Sequence, residues 1–311
     1  MAITLQESLR ALFYAPFYVA LARDAYAAEG VDVGFVSPAR PGDAARNVME
    51  GAVDVCWGGP MRVMQAYQQT SECDLVSFAE VVTRDPFMLV GRAPRPNFSL
   101  CDLVGLRIAT VSEVPTPWMC LQEDLRRAGI DPSALTRVAD AGMADNVAGL
   151  RRGDLDVVQV FEPFAAMLLA DDVGHLWYAQ ASRGPTSYTT FYARRALLDQ
   201  RRDELLRMVR AIYRTQKWLA AADGETIAAA IAGYFEDVPA AIRVDACRRY
   251  KSLGIWGRDP HLPRVGYERL RASLVSGGFV SPGAPYEVAV DNVLAETVIA
   301  EDPPALDDKG R

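Results

Sequence analysis

The sequence predicts an α/β protein built as two lobes. Three observations carry this. Strands alternate with helices through the first ninety or so residues, and the alternation starts again at Arg107. Two Pro-bearing stretches, near residues 91–97 and 183–187, read as crossings between the units. From Arg195 onward the pattern changes to long helices. Alternating β and α segments imply a mostly parallel sheet with helices on both faces.

The elements follow in order. Ala2–Leu5 reads as a first strand and Leu9–Phe13 as the loop after it. Tyr14–Ala28 fits a helix, with Phe17, Leu21 and Tyr26 at helical spacing, and Gly30 stops it. Val31–Ser37 alternates and is rich in Val and Phe, a second strand. Gly42–Glu50 is a short helix. Val53–Trp57 is a third strand, and Leu75–Val82 and Phe87–Arg92 are the fourth and fifth. Arg107–Thr110 opens the second unit. Ser112–Pro117 is a loop and Trp118–Ala128 a helix. Leu135–Asp140 is a strand, Met143–Arg152 a helix, and Leu155–Phe161 a strand running into Glu162-Pro163. Phe164–Leu169 starts a helix. Leu176–Ala179 and Tyr188–Ala193 are extended. Helices are expected over Leu198–Ala221, Glu225–Phe235, Ala240–Leu253, Tyr267–Ser276 and Asp291–Ile299. Residues 301–311 form a charged tail. The lobes are then 1–91 plus 188–311 and 92–187, with the helical C-terminal portion packed on the first lobe. A chain that leaves one lobe and returns to it can hinge.

One stretch organises the first lobe: Val-Asp-Val-Cys-Trp-Gly-Gly-Pro, residues 53–60. A buried strand ends at Gly58-Gly59, and Pro60 opens the helix Met61–Gln69, where a missing N–H costs nothing. This turn aims free backbone N–H groups at one spot, suited to an anion or a polar ligand atom. The plainer alternative is a βα turn with no ligand. In sheets of this kind ligands bind beyond the carboxyl ends of strands. The Gly58-Gly59-Pro60 turn and the Leu9–Phe13 loop both lie at such ends.

Composition narrows the function classes. Half of the 311 residues are hydrophobic and 23% are charged, as in a globular domain in water. The net charge is −7, with no long Lys/Arg run, which argues against nucleic acid as a partner. No stretch reaches the length of a transmembrane helix. Residues 1–12 carry Glu7 and Arg10 and no long apolar run, so no signal peptide is expected there. A cytoplasmic protein and a processed form of a secreted one both fit that start. Cys56, Cys73, Cys101, Cys120 and Cys247 are odd in number and widely spaced, unlike a disulfide framework. No C-x-x-C occurs, and His175 and His261 lie far apart, so no metal site is expected. No cofactor is expected either. Lys occurs only at 217, 251 and 309, away from the strand ends, which disfavours a Schiff-base enzyme. No G-x-S-x-G elbow is present.

Six segments, in this order, carry a resemblance. They are PFYVALARDAYAAEGVDV (16–33), DVCWGGP (54–60), LRIATVSEVPTPW (106–118), DLDVVQVFEPF (154–164), the run from Tyr188 to Leu219, and GIWGRDPHLPRVGYERLRASLVSGGFV (254–280). Together the chain resembles the periplasmic substrate-binding proteins of ABC importers for sulfonates, nitrate and thiamine-pyrimidine precursors. The resemblance covers nearly the whole chain. It implies a type II Venus-flytrap fold, a small organic or anionic ligand held between the lobes, and a membrane permease as partner. It also implies a periplasmic location, which the start of the sequence does not match. Cytoplasmic enzymes share the fold family, among them thiamine-pyrimidine synthases and aromatic sulfinate desulfinases. The Cys run of the former is missing here. The first loop, where a desulfinase would carry its Cys, holds Tyr14 and Ala15. Cys56 is the one thiol at a plausible cleft position.

The candidate ligand-binding residues follow from these strand ends. Arg10 could hold an anionic group by a bidentate pair, or be a solvated surface residue. Phe13 and Tyr14 could form an aromatic wall or pack in the core. Trp57 could offer its indole N–H, beside Gly58 and Gly59 at the helix entrance. Ser112 and Thr116 could bind a polar head group or cap the following helix. Trp118 could stack on a ring. Glu162 could receive an amine or hydroxyl, or join an ion pair across the hinge. Tyr188 could touch ligand or simply pass the hinge. The aromatic supply favours a ring-containing ligand.

Overall fold

The structure is a computed structural model and describes residues 2–70 and 72–307. The chain begins β1 (Ile3–Glu7), α1 (Ala15–Ala22), α2 (Ala25–Ala28), β2 (Val33–Val36), α3 (Ala44–Met49), β3 (Val55–Gly58), α4 (Pro60–Gln69) and β4 (Leu75–Val82). It continues β5 (Met88–Gly91), β6 (Arg107–Ala109), α5 (Thr116–Arg127), β7 (Thr136–Val138), α6 (Met143–Arg152), β8 (Val157–Val160), α7 (Phe164–Ala170) and β9 (His175–Ala179). Then come β10 (Thr189–Arg194), α8 (Arg195–Gln200), α9 (Arg202–Ala221), α10 (Gly224–Ala230), α11 (Ala240–Leu253), α12 (Arg264–Ser276), α13 (Tyr286–Ala289) and α14 (Val293–Glu301).

Two five-stranded sheets result, in the orders β2-β1-β3-β10-β4 and β7-β6-β8-β5-β9. This is the two-lobe fold that the sequence predicts. Each sheet is parallel except for the one strand that has crossed over from the other lobe. β10 runs antiparallel to β3 and β4, and β5 antiparallel to β8 and β9. β3, β4, β5 and β8 are buried along their whole length. They read as continuous apolar runs, as expected where helices cover both faces.

The first crossing departs from expectation. It lies at residues 83–87, not 91–97, because β5 belongs to the second sheet. β4 ends at Val82, after which the Thr83 N–H bonds the Ile255 carbonyl at 2.8 Å, and Asp85 turns the chain around Pro86 by accepting the Phe87 N–H at 3.0 Å. The Pro-rich stretch at 93–97 is a turn within the second lobe. The exchange of sheets therefore falls ahead of residue 91, while the return runs from β9 to β10, across residues 180–188.

Other differences are local. The helix expected over residues 14–28 breaks at Asp24, whose φ of 50° is left-handed, a conformation that short polar side chains tolerate. The helix expected over 198–221 is two helices meeting at Arg201. α5 starts at Thr116, so Thr116 and Pro117 form its first turn. The C-terminal helices do not pack on the first lobe alone. α9 lies against α1 and α2, but α11 packs on α7 and α12 on α5, both in the second lobe. One apolar core accordingly runs through both lobes and includes Phe13, Phe87, Phe161 and Tyr188.

Candidate functional site

The lobes meet over a small cleft that each side supplies from its strand ends. From the first lobe come Ser8 and Leu9 after β1, Phe13 and Tyr14 in the turn before α1, and Gly59, Met61 and Arg62 at the start of α4. The crossing strands add Phe87 and Tyr188. The second lobe adds Val114 and Thr116 at the start of α5 and Phe161 after β8. The cavity between them is about 30 Å³. That space takes a water or two, well short of the apolar cavity of about 150 Å³ that can hold benzene. A ring-sized ligand reaches this site only when the lobes part.

Aromatic rings dominate the walls. Phe161 meets Phe13 edge-on at 5.5 Å and Phe87 at 5.2 Å. Tyr188 meets Phe13 at 6.3 Å and Phe87 at 6.1 Å. Tyr14 lies 4.2 Å from Phe13. These separations are those of favourable aromatic pairs. So the two lobes and the crossing strands touch through rings, and parting the lobes exposes ring faces.

The polar groups are few. Arg62 is half-buried, and Nη1 donates to Gln65 Oε1 at 3.3 Å; among the described residues it has no carboxylate partner. The Tyr188 hydroxyl is buried and has no partner among the described residues. Burial holds the Tyr14 and Tyr188 phenols well above their ordinary range. Both helices that begin at the cavity, α4 and α5, turn their N-terminal ends toward it, which favours negative charge there.

Several expected site residues lie elsewhere. Arg10 is held by Glu7 at 2.9 Å, with further bonds to Ser37 Oγ and the Tyr234 carbonyl. Its charge is matched by a buried carboxylate that Tyr18 and Ser37 also contact at 2.5 Å each. Trp57 is fully buried, stacked between Phe17 at 4.7 Å and Phe35 at 5.3 Å, so it belongs to the core of the first lobe. Trp118 is buried in the second lobe beneath the Arg137 guanidinium, 4.3 Å from its ring centroid. Ser112 is exposed and bonds Glu113. Glu162 is fully buried, paired with Arg249, and not among the residues that line the cavity.

The glycines have a packing reason of their own. A Cβ on Gly58 would sit 3.1 Å from the Tyr192 ring, and one on Gly59 would sit 3.2 Å from the Tyr188 carbonyl oxygen. They let β10 approach the end of β3. Phe13, Tyr14, Gly59, Thr116 and Tyr188 do line the cavity. Sequence reasoning missed Ser8, Leu9, Met61, Arg62, Phe87, Val114 and Phe161. Arg62 was legible as the first cation after Gly-Gly-Pro, and Phe161 as the last apolar residue before Glu162-Pro163.

A buried polar network braces the hinge beside the cleft. The Gln180 amide donates to Asp85 at 2.9 Å, and the Gln159 amide donates to Gln180 Oε1 at 2.6 Å and to the Pro117 carbonyl at 2.9 Å. Arg183, its side chain 3% exposed, pairs with Asp124 of α5 at 3.1 Å and donates to Ser273 of α12 at 2.9 Å. Burial pushes the Asp85 carboxyl up to about 7.

Comparison with known proteins agrees with this geometry. The family described as NMT1/THI5 like matches residues 13–226. The chain is 26% identical over 302 residues to YtlA of Bacillus subtilis (strain 168), named as a candidate binding protein, covering 96% of this chain and 90% of that one. Among solved structures, the periplasmic sulfonate-binding protein SsuA of Methylobacillus flagellatus KT aligns with a TM-score of 0.78 at 15% identity, over 99% of this chain and 98% of that one. The desulfurization enzyme DSZB aligns with a TM-score of 0.66 at 13% identity, over 97% of this chain and 100% of that one. At these identities the structural likeness is one of fold.

Proposed function

The chain belongs to the NMT1/THI5-like family, and from that premise we propose that it is a solute-binding protein that captures a small organic or anionic ligand for ABC-type import. The observation that carries this reading is the cleft itself. Its walls come from both lobes and both crossing strands, so one ligand there would bridge all four and hold the lobes together. Ligand capture by lobe closure needs that geometry and no bond-making group. The names of the relatives, a candidate binding protein and a sulfonate-binding protein, support it. That role places it outside the cytoplasmic membrane. Pyrimidines, aromatic acids and sulfonates are the ligand classes to screen.

The second reading is an enzyme on the same fold, which the likeness to DSZB keeps in play. Its natural nucleophile would be Cys56, but that thiol is fully buried, donates to the Trp57 carbonyl at 3.3 Å, and is pushed up to about 12 by burial. A thiol so placed is a poor nucleophile at neutral pH.

Native mass spectrometry of the purified protein, followed by release and identification of any bound molecule, tests the two. An intact small molecule at one per chain supports capture. A chemically altered product, or a covalent adduct on Cys56, would instead support the enzyme.

A further inference from the structure

The cleft carries a more specific signal than its place between the lobes. We propose that its ligand is an aromatic anion, a flat ring bearing a carboxylate or sulfonate, with Arg62 as the residue that selects the charge; this rests on the solute-binding reading above.

Two independent features of the cavity lead there. The first is the ring supply. Phe13 of the first lobe contacts Phe161 of the second at 5.5 Å, and Phe87 and Tyr188 at the crossings at 6.5 and 6.3 Å. When the lobes part these ring faces lose their partners, and an inserted ring restores them. An aliphatic ligand would bury less area against flat walls and forgo the aromatic pairing. The second feature is the charge. Arg62 lines the cavity from the first turn of α4 and, among the described residues, donates to Gln65 alone. Arg10, in the loop after β1, is by contrast committed to Glu7. Arg62 therefore keeps guanidinium donors for an incoming oxyanion, and its planar fork suits a carboxylate or sulfonate. The starts of α4 and α5 add to the same sign of field. Tyr188 also lines the cavity, and its buried hydroxyl, without a partner among the described residues, is a further polar group that a ligand oxygen could satisfy.

The test uses the full chain and four probes at pH 8: benzoate, benzenesulfonate, methanesulfonate and neutral 4-aminopyrimidine. Binding is read by calorimetry and lobe closure by small-angle scattering. At least one aromatic anion should bind saturably and compact the protein, well ahead of methanesulfonate and 4-aminopyrimidine. Arg62→Gln should weaken it roughly ten- to a hundredfold, the usual effect of losing a charged hydrogen bond, and Arg62→Lys should fall between. Arg62 is half-buried at the protein surface, so an unchanged melting temperature confirms that these variants fold. Tighter binding of methanesulfonate or 4-aminopyrimidine, or an affinity for aromatic anions that Arg62→Gln leaves unchanged, overturns the proposal while leaving solute capture intact. Conversion of any probe to a new compound overturns solute capture itself.

Discussion

Glu162, at the end of the second lobe's β8, and Arg249, on α11, form an ion pair in which the carboxylate is fully buried. Glu162 also accepts the Ala166 N–H at 2.8 Å, and its own N–H is donated to the Tyr250 hydroxyl. The second lobe is thus fastened to a C-terminal helix at a point beside the cleft, next to Phe161. Removing one partner leaves a buried charge unmatched, a change that typically costs about 3–5 kcal/mol. Arg249→Met should lower unfolding stability by that order in a denaturant titration. The double variant Glu162→Leu with Arg249→Met should recover a large part of the loss. A double variant no more stable than Arg249→Met would show that the pair is worth more than its burial costs.

Stability should fall as the solution turns alkaline. Burial pushes the Glu80 carboxyl up to about 8 and that of Asp85 up to about 7, and it raises Glu162 and Asp124 as well. Unfolded, these groups release their protons near their ordinary values of about 4. Between there and pH 8 the folded protein holds protons that the unfolded chain has lost, so unfolding free energy decreases with rising pH. The carboxylates lowered by hydrogen bonds, such as Asp156 and Asp131, act with the opposite sign but only below about pH 4. Melting temperature should therefore drop between pH 5 and pH 9, by an amount on the order of a few kcal/mol in stability. Glu80→Gln should flatten the upper part of that slope. A flat profile in the parent protein would refute the assignment.

Gly59 offers a test of how tightly the return strand is seated. Its φ is −67°, ordinary for any residue, so only the contact opposes a side chain. The added Cβ of Gly59→Ala meets the Tyr188 backbone carbonyl at 3.2 Å, where nothing can rotate away. The return strand must shift by a few tenths of an ångström. A loss of about 1–3 kcal/mol, the range for overpacking, is expected in thermal or chemical unfolding.

The alternation of apolar runs and Gly stops was enough to place most strands and helices, because fully buried parallel strands and Gly-terminated helices leave a plain mark. β4, α6 and α11 match their expected limits. Sheet membership was not legible in the same way. Nothing local in Met-Leu-Val-Gly says whether it pairs with β4 or with β8; the short Pro86 connection and the partner strands decide it. The lining of the candidate cleft was half legible for a related reason. Position at a strand end is a local property, and Phe13, Tyr14 and Tyr188 followed from it. The direction of a side chain across a strand depends on register. Trp57 and Gly58 share one strand end, yet the indole turns into the helices while the cleft begins one residue later, at Gly59.

Trp57 separates a core residue from a ligand contact. Its indole is clasped between the parallel rings of Phe17 and Phe35, with Tyr18 edge-on at 5.6 Å. Its Nε1 has no partner among the described residues, so the ring is held there by packing alone. Truncation to Ala should open a large void and cost about 3–5 kcal/mol. Trp57→Phe keeps a flat ring in the stack and removes the unsatisfied N–H, so its cost should be smaller, about 1–3 kcal/mol. Because the indole does not reach the cleft, ligand affinity in Trp57→Phe should stay within about twofold of the parent when both are measured well below their melting temperatures. A tenfold loss of affinity at unchanged stability would mean that the indole turns toward the cleft when the lobes open, and would return Trp57 to the binding site.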